Sequence, residues 1–259
     1  MPINEEHPVM NTPKGDFILW RYMNIPAFLS LLTKSSLTFV RADLFEDKYE
    51  GTLPRLMAEM IDFQISQKLN KVNQKGFDEK FSKVLDKQNK DIFLNCWCKE
   101  NHEMVHMWKI YSKEHGVAIE TTYEQLKKSV ISDEMIYPTE IRYLDYHHDH
   151  INWQSNGLTA FTIKRKEYKS ENEFRLILAF PRILEDEIMK TDIPNKENRH
   201  FERMKLYEQT PAIECAVNIK ELILKIHLSP YAPDWYYSVL SDILKKFELE
   251  NIEIIRSNL

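Results

Sequence analysis

Residues 171–180 show the alternation from which the chain is read. Phe174, Leu176, Leu178 and Phe180 recur at every second position, and Glu171, Glu173 and Arg175 fall between them. A period of two puts the sets on opposite faces of a half-buried strand, one building core and the other presenting charges roughly 7 Å apart. Further strands are expected at 17–22, 37–40, 92–98, 117–120, 140–144, 213–217, 222–228 and 252–256.

Helical spacing separates these strands. Asn24 as N-cap and Pro26 in the first turn open a helix carrying Phe28, Leu29, Leu31 and Leu32. Pro54 opens another, with Leu56, Met57, Met60, Ile61, Ile65 and Leu69 at helical intervals. A second amphipathic segment follows over 77–85, so residues 54–90 read as a helical insertion. Met104, Met107, Trp108 and Tyr111 form a stripe, of the kind that is usually core, and Gly116 stops it. Thr121 with Glu124 suggests a capping box, and Pro233 starts a C-terminal helix buried along Val239, Leu240, Ile243, Leu244 and Phe247.

Residues 1–15 are polar and contain proline, which predicts a flexible arm, and a charged stretch over about 185–210 reads as mobile. No repeat and no Gly/Ser linker divides residues 16–259. The prediction is a single α+β domain, a mixed or antiparallel sheet with helices packed on it. A hydrophobic fraction of 43% in 259 residues supplies its core.

Composition narrows the chemistry. Forty acidic against thirty-five basic residues give a net charge of −5, which argues against nucleic-acid binding across the whole surface. A local basic patch at Lys164-Arg165-Lys166 remains. Five glycines, none in a GxGxxG or GxxxxGK[ST] arrangement, exclude the usual phosphate loops, so a nucleotide must be held by side chains. Cys96 and Cys98 share a strand face, but no second pair completes a zinc site, and buried reduced thiols are expected there and at Cys215. His147, His148, Asp149 and His150 are adjacent in a loop, where ligands rarely converge on one ion, so no metal site is assigned. Free thiols, no apolar leader and no run of eighteen apolar residues predict a cytoplasmic protein without a membrane partner.

Several short motifs carry a resemblance. These are Trp20-Arg-Tyr22, the loop Arg41-Ala-Asp-Leu-Phe-Glu-Asp-Lys-Tyr-Glu50, and Met107-Trp-Lys-Ile-Tyr111 ahead of Gly116. Lys166 upstream of Glu171-x-Glu173-x-Arg175, and the ending Leu228-Ser-Pro230 with Trp235 and Arg256-Ser257, complete the set. In order and spacing they resemble the bacterial family called domain of unknown function 2971, over nearly the whole chain. The resemblance implies an uncharacterised intracellular bacterial protein of the phage-defence or toxin-like effector kind. One departure is visible, since the family's loop carries Asn-Asp-Pro where this chain has Glu46-Asp47-Lys48.

Three functional readings follow. An ADP-ribosyltransferase-like site needs a group on the first strand to hold nicotinamide dinucleotide and a late glutamate to stabilise an oxocarbenium-like transition state. Arg21, Glu171 and Glu173 are its catalytic candidates, with Tyr22, Arg41, Asp47, Tyr111, Lys166 and Arg175 as ligand-binding candidates. That reading makes nicotinamide dinucleotide (NAD) a substrate and calls for no resident cofactor. The second is a non-catalytic module binding a nucleotide or macromolecular partner through the basic run and Arg175, with Trp97, Trp108 or Trp153 stacking on a base. The third is a metal-dependent nuclease built on Asp43, Glu46, Asp47, Glu50, Lys166 and Glu171. Against all three stands a structural ion pair of Glu173 with Arg175.

Overall fold

A computed structural model describes residues 2–54, 57, 59–60, 89–112, 115–149, 157–190, 196–257 and 259. Eleven strands are defined among them: β1 (Ile18–Asn24), β2 (Ser36–Arg41), β3 (Ile92–Lys99), β4 (Gly116–Thr122), β5 (Ile136–Glu140), β6 (Arg142–Leu144), β7 (Ile163–Arg165), β8 (Glu173–Ala179), β9 (Ala212–Ala216), β10 (Lys225–Leu228) and β11 (Glu253–Arg256). Nine form one sheet, ordered β11-β10-β4-β1-β3-β2-β9, with β8 and then β5 branching from β3. Pairing is antiparallel except between β10 and β11, and β6 with β7 makes a separate parallel pair. With helices packed on this sheet the protein is a single α+β domain.

The alternation seen in the sequence sorts the sheet into two faces. Leu19, Met23, Leu37, Phe39, Phe93, Trp97, Val117, Ile119, Phe174, Leu176 and Leu178 build the main core on one side. Helix α1 (Ile25–Lys34), α2 (Tyr123–Ser129), α3 (Arg182–Lys190), α4 (Lys196–Gln209), α5 (Ile219–Leu222) and α6 (Tyr236–Lys246) contribute to it through Phe28, Leu126, Leu184, Tyr207, Leu222 and Leu240. The other face is also covered. Trp20, Tyr22 and Cys98 pack with Met107 and Trp108, and Ile92, Leu94 and Ile177 pack with Ala42 and Phe161. β8 is therefore buried on both sides from Glu173 to Leu178, not half-buried as its polar residues suggested.

α1 starts where expected, with Asn24 accepting from the Ala27 amide. The cap of α2 lies one residue later than expected, because the Thr122 side chain, not that of Thr121, accepts from the Gln125 amide. The buried stripe of α6 is narrower than its sequence predicts: Tyr236, Leu240 and Leu244 are buried, whereas Val239 is 40% exposed.

Two further expectations change. The charged stretch over 185–210 contains α3 and α4, held by the buried side chains Leu184, Ile188 and Tyr207, which are few enough for the charges around them to mask their spacing. The N-terminal arm is tied to an edge strand. Ile3 bridges Ile136, the Asn4 amide donates to the Ile136 carbonyl, and Asn11 and Thr12 bond to β5 through Thr139 and Pro138. It thereby satisfies backbone groups that an open edge would leave bare. The helical insertion predicted near 54–90 lies mostly outside the described residues, as does His150. No described helix is long and apolar enough to cross a membrane.

Candidate active site

The sheet splits at its centre. β3 pairs with β8 along almost its whole length, from Ile92 opposite Ala179 to Cys98 opposite Glu173. Its other edge is shared by two strands at opposite ends: β1 pairs at Cys98 and Lys99, and β2 at Phe93 and Leu94. Between them, at Asn95–Cys96–Trp97, β1 and β2 have parted. Asn95 spans part of the gap, donating from Nδ2 to the Thr38 carbonyl at 2.9 Å and accepting from Trp97 Nε1 at 2.7 Å.

A cleft occupies this split. One cavity of about 230 Å³ is lined by Trp20, Arg21, Tyr22, Cys96, Tyr111, Lys164, Glu171 and Glu173, among others. A second, of about 350 Å³, runs towards α1 past Asn24, Ser30 and Ser36, and shares Arg21, Tyr22, Thr38, Val40 and Tyr111 with the first. The two spaces adjoin through these five residues, on the scale of a small-molecule site.

At one end lies an ion cluster. Arg175 is completely buried, and its guanidinium grips Glu50 with Nη1 at 2.6 Å and Nη2 at 3.2 Å. Its Nε donates to Glu173 Oε1 at 2.7 Å, and Nη1 also donates to the Phe161 carbonyl at 3.0 Å. Lys164 Nζ lies 3.0 Å from the other Glu173 oxygen and 2.6 Å from Glu171 Oε2. Glu50 reaches this position from a turn at Gly51, where φ is +67° and a side chain would overlap Asn89 and Phe161.

The two glutamates meet Lys164 by a route that period two does not describe. Glu171 ends a 3-10 helix (Lys166–Glu171), and Asn172, at φ 40°, turns the chain before β8 begins. Asparagine tolerates that left-handed conformation, and its side chain is anchored on Glu100 Oε1 at 2.9 Å. Burial would raise the Glu173 carboxyl, but the Arg175 guanidinium and Lys164 ammonium outweigh it and hold the group well below its ordinary value. Glu171 behaves oppositely: burial raises its carboxyl above the ordinary value despite Lys164. Glu173 is a fixed anion with both oxygens engaged. Among the described residues Glu171 takes a single hydrogen bond, and it is the carboxylate free to meet a ligand.

Arg21 stands at the fork. Its Nη1 is buried with no hydrogen-bond partner, and no ion pair reaches it from the described residues. Its guanidinium lies 5.6 Å from the Trp97 ring centre, and burial pulls it below its ordinary value, though an arginine stays charged. Tyr22 accepts from the Met104 amide and packs edge-on against Trp108, 5.0 Å between centres. Tyr111 is 45% exposed and borders both cavities from a π-helical turn (Trp108–Ser112). Such turns need more than 3.6 residues per revolution, which is why Tyr111 leaves the stripe on which Met107 and Trp108 are buried.

Thus Arg21, Tyr22, Tyr111, Glu171 and Glu173 share the cleft, with Arg175 directly beneath. Three other candidates do not. Arg41 pairs with Asp43 at 2.6 Å and donates to the carbonyls of Tyr207, Glu208 and Thr210, closing the C-terminus of α4. Asp47 pairs with Arg165 at 2.8 Å, and Lys166 is exposed and pairs with Asp145. Lys164, two residues earlier, is the lysine that enters the cleft, and period two could not choose between them because β7 ends at Arg165. The sequence groups Glu50 with Glu171 as a metal-binding candidate and Lys164 with Arg175 in a basic surface, but expects neither as an ion-pair partner of Arg175 or Glu173.

The acidic loop is divided among arginines: Asp43 to Arg41, Asp47 to Arg165 and Glu50 to Arg175. Among the described residues no group of three or more His, Cys, Asp or Glu side chains is placed to hold a metal ion. The three cysteines are free, and burial pushes Cys98 up to about 12 and Cys96 well above its ordinary value, so both thiols stay protonated. Trp97 and Trp108 are buried, and Trp153 lies outside the described residues. No family model, curated protein or solved structure matches the chain.

Proposed function

We propose that the split in the sheet is a nucleotide site, and that ADP-ribosyl transfer from nicotinamide dinucleotide is the activity its side chains support best. The observation that carries this reading is the meeting of Arg21, Tyr22, Tyr111 and Glu171 on one cleft. Tyr111, exposed beside both cavities, offers its ring to a base or nicotinamide, the buried Tyr22 ring forms part of the wall, and Glu171 is a carboxylate with one oxygen uncommitted among the described residues. As the glycosidic bond breaks, its electron pair leaves with nicotinamide and positive charge develops on the ribose. A carboxylate that accepts from a ribose hydroxyl stabilises that charge. Lys164 holds Glu171 in place, and the Glu173–Arg175–Glu50 cluster holds Lys164.

Incubation with labelled dinucleotide is the direct test. Nicotinamide release by the wild type, reduced about a hundredfold or more in Glu171→Gln, is the expected result. No release from either protein sinks the transfer reading. The second reading is a binding module without turnover, favoured by how fully Glu173 is neutralised; it predicts a ligand-induced rise in Tm and no product. A cytoplasmic bacterial effector of the family resembled above is the setting we propose for either activity, one in which three free cysteines persist.

A further inference from the structure

The two ends of the cleft differ in charge. In the ion cluster, Glu50, Glu171 and Glu173 face Lys164 and Arg175, so three carboxylates against two cations leave one negative charge in excess. At the fork, Arg21 is a cation with a buried, unpartnered Nη1. The carboxylate that acts on it across the fork, Glu214, is already engaged by Lys34 at 2.8 Å and by the hydroxyls of Ser36 and Thr38. The Trp97 ring compensates a guanidinium only weakly compared with an anion.

We propose that the cleft takes a dipolar ligand, with a phosphate or carboxylate on Arg21 and a cationic end against Glu171. This rests on the assignment of the cleft as a ligand site and adds the charge class of what fills it. Arginine presents a planar fork that matches phosphate and carboxylate oxygens, and one whose Nη1 has no hydrogen bond gains from such a partner. Lys164 does not compete for the anion, because two carboxylates already lie within 3.0 Å of it. A cation entering beside Glu171 removes the excess charge of the cluster, whereas a second anion there adds to it.

Oxidised and reduced nicotinamide dinucleotide separate the two ends, since they share their phosphates and differ in the ring's positive charge. Calorimetric titration of the full chain should give affinity about fivefold or more higher for the oxidised form, the equivalent of one partly screened charge pair. In Glu171→Gln that preference should fall to near one. Arg21→Met should weaken both forms about tenfold or more, and Arg21→Lys should restore part of the loss. Arg21→Met should melt no lower than the wild type, because among the described residues it breaks no hydrogen bond or ion pair.

Equal affinity for the two forms, a preference unchanged in Glu171→Gln, undiminished binding in Arg21→Met, or no binding of either form overturns the inference. Turnover is read separately. Charge-selective binding without nicotinamide release supports the dipolar site and sinks only the transfer reading, whereas release with equal affinities does the reverse.

Discussion

Two arginines stand at this cleft, Arg175 fully buried beneath it and Arg21 partly buried in its wall, and they differ in what surrounds them. Arg175 has Glu50, Glu173 and the Phe161 carbonyl, and Arg21 has a tryptophan ring and an unpartnered Nη1. A charge buried with its partners is part of the fold, and losing one partner leaves the other exposed to the full cost of desolvation. A guanidinium nitrogen buried without a hydrogen bond, as Arg21 Nη1 is, lowers the stability of the empty protein and is best explained by something that binds the group. The same residue type thus marks scaffold at one end of the cleft and, in the site we propose, recognition at the other.

The largest expected effect breaks the satisfied side. Arg175→Met leaves Glu50 and Glu173 without their main counter-charge and should cost about 3–5 kcal/mol, lowering Tm by roughly 10 °C or more in thermal unfolding. Glu173→Gln comes next, at about 2 kcal/mol, because Arg175 and Lys164 each lose a charged acceptor. Its effect should depend on pH. The folded Glu173 value lies below its ordinary 4.5, so the stabilisation is present above pH 4.5 and is lost as the pH falls through the depressed value. The wild-type advantage over Glu173→Gln should therefore shrink as denaturant titrations are moved from pH 6 to strongly acidic buffers. Glu171 has the opposite sign. Its folded value is raised, so its contribution is present below 4.5 and lost as pH rises, and Glu171→Gln should be no less stable than the wild type at neutral pH.

How much of this was legible depended on where each residue stood. The strand at 173–179 was readable because alternation is a local property of the chain, and Asn24 with Pro26 announced α1 for the same reason. The Glu173–Arg175 pair followed from two positions on one strand. Glu50, which completes it, lies 125 residues away, and only tertiary folding brings it there. Arg41 was misassigned because an arginine at a loop mouth looks the same in sequence whether it meets a ligand or the end of a distant helix. The fork itself, with β1 and β2 sharing one edge of β3, has no signature in any single segment.

The smallest stability effect sharpens the recognition side, and it comes from one turn bearing two aromatics. Trp108 is fully buried, with Nε1 donating to Glu103 at 2.9 Å, whereas Tyr111, three residues on, is 45% exposed beside both cavities. Tyr111→Ala should lower unfolding stability by about 1 kcal/mol, since only part of its ring is buried. Trp108→Ala should cost about 3–5 kcal/mol. If Tyr111 stacks on a bound base or nicotinamide, its replacement weakens dinucleotide binding about tenfold while the fold is kept, and Tyr111→Phe, which retains the ring, restores it. A Tyr111→Ala protein that binds as the wild type does would confine recognition to Arg21 and Glu171, and would leave the aromatic side of the cleft as wall.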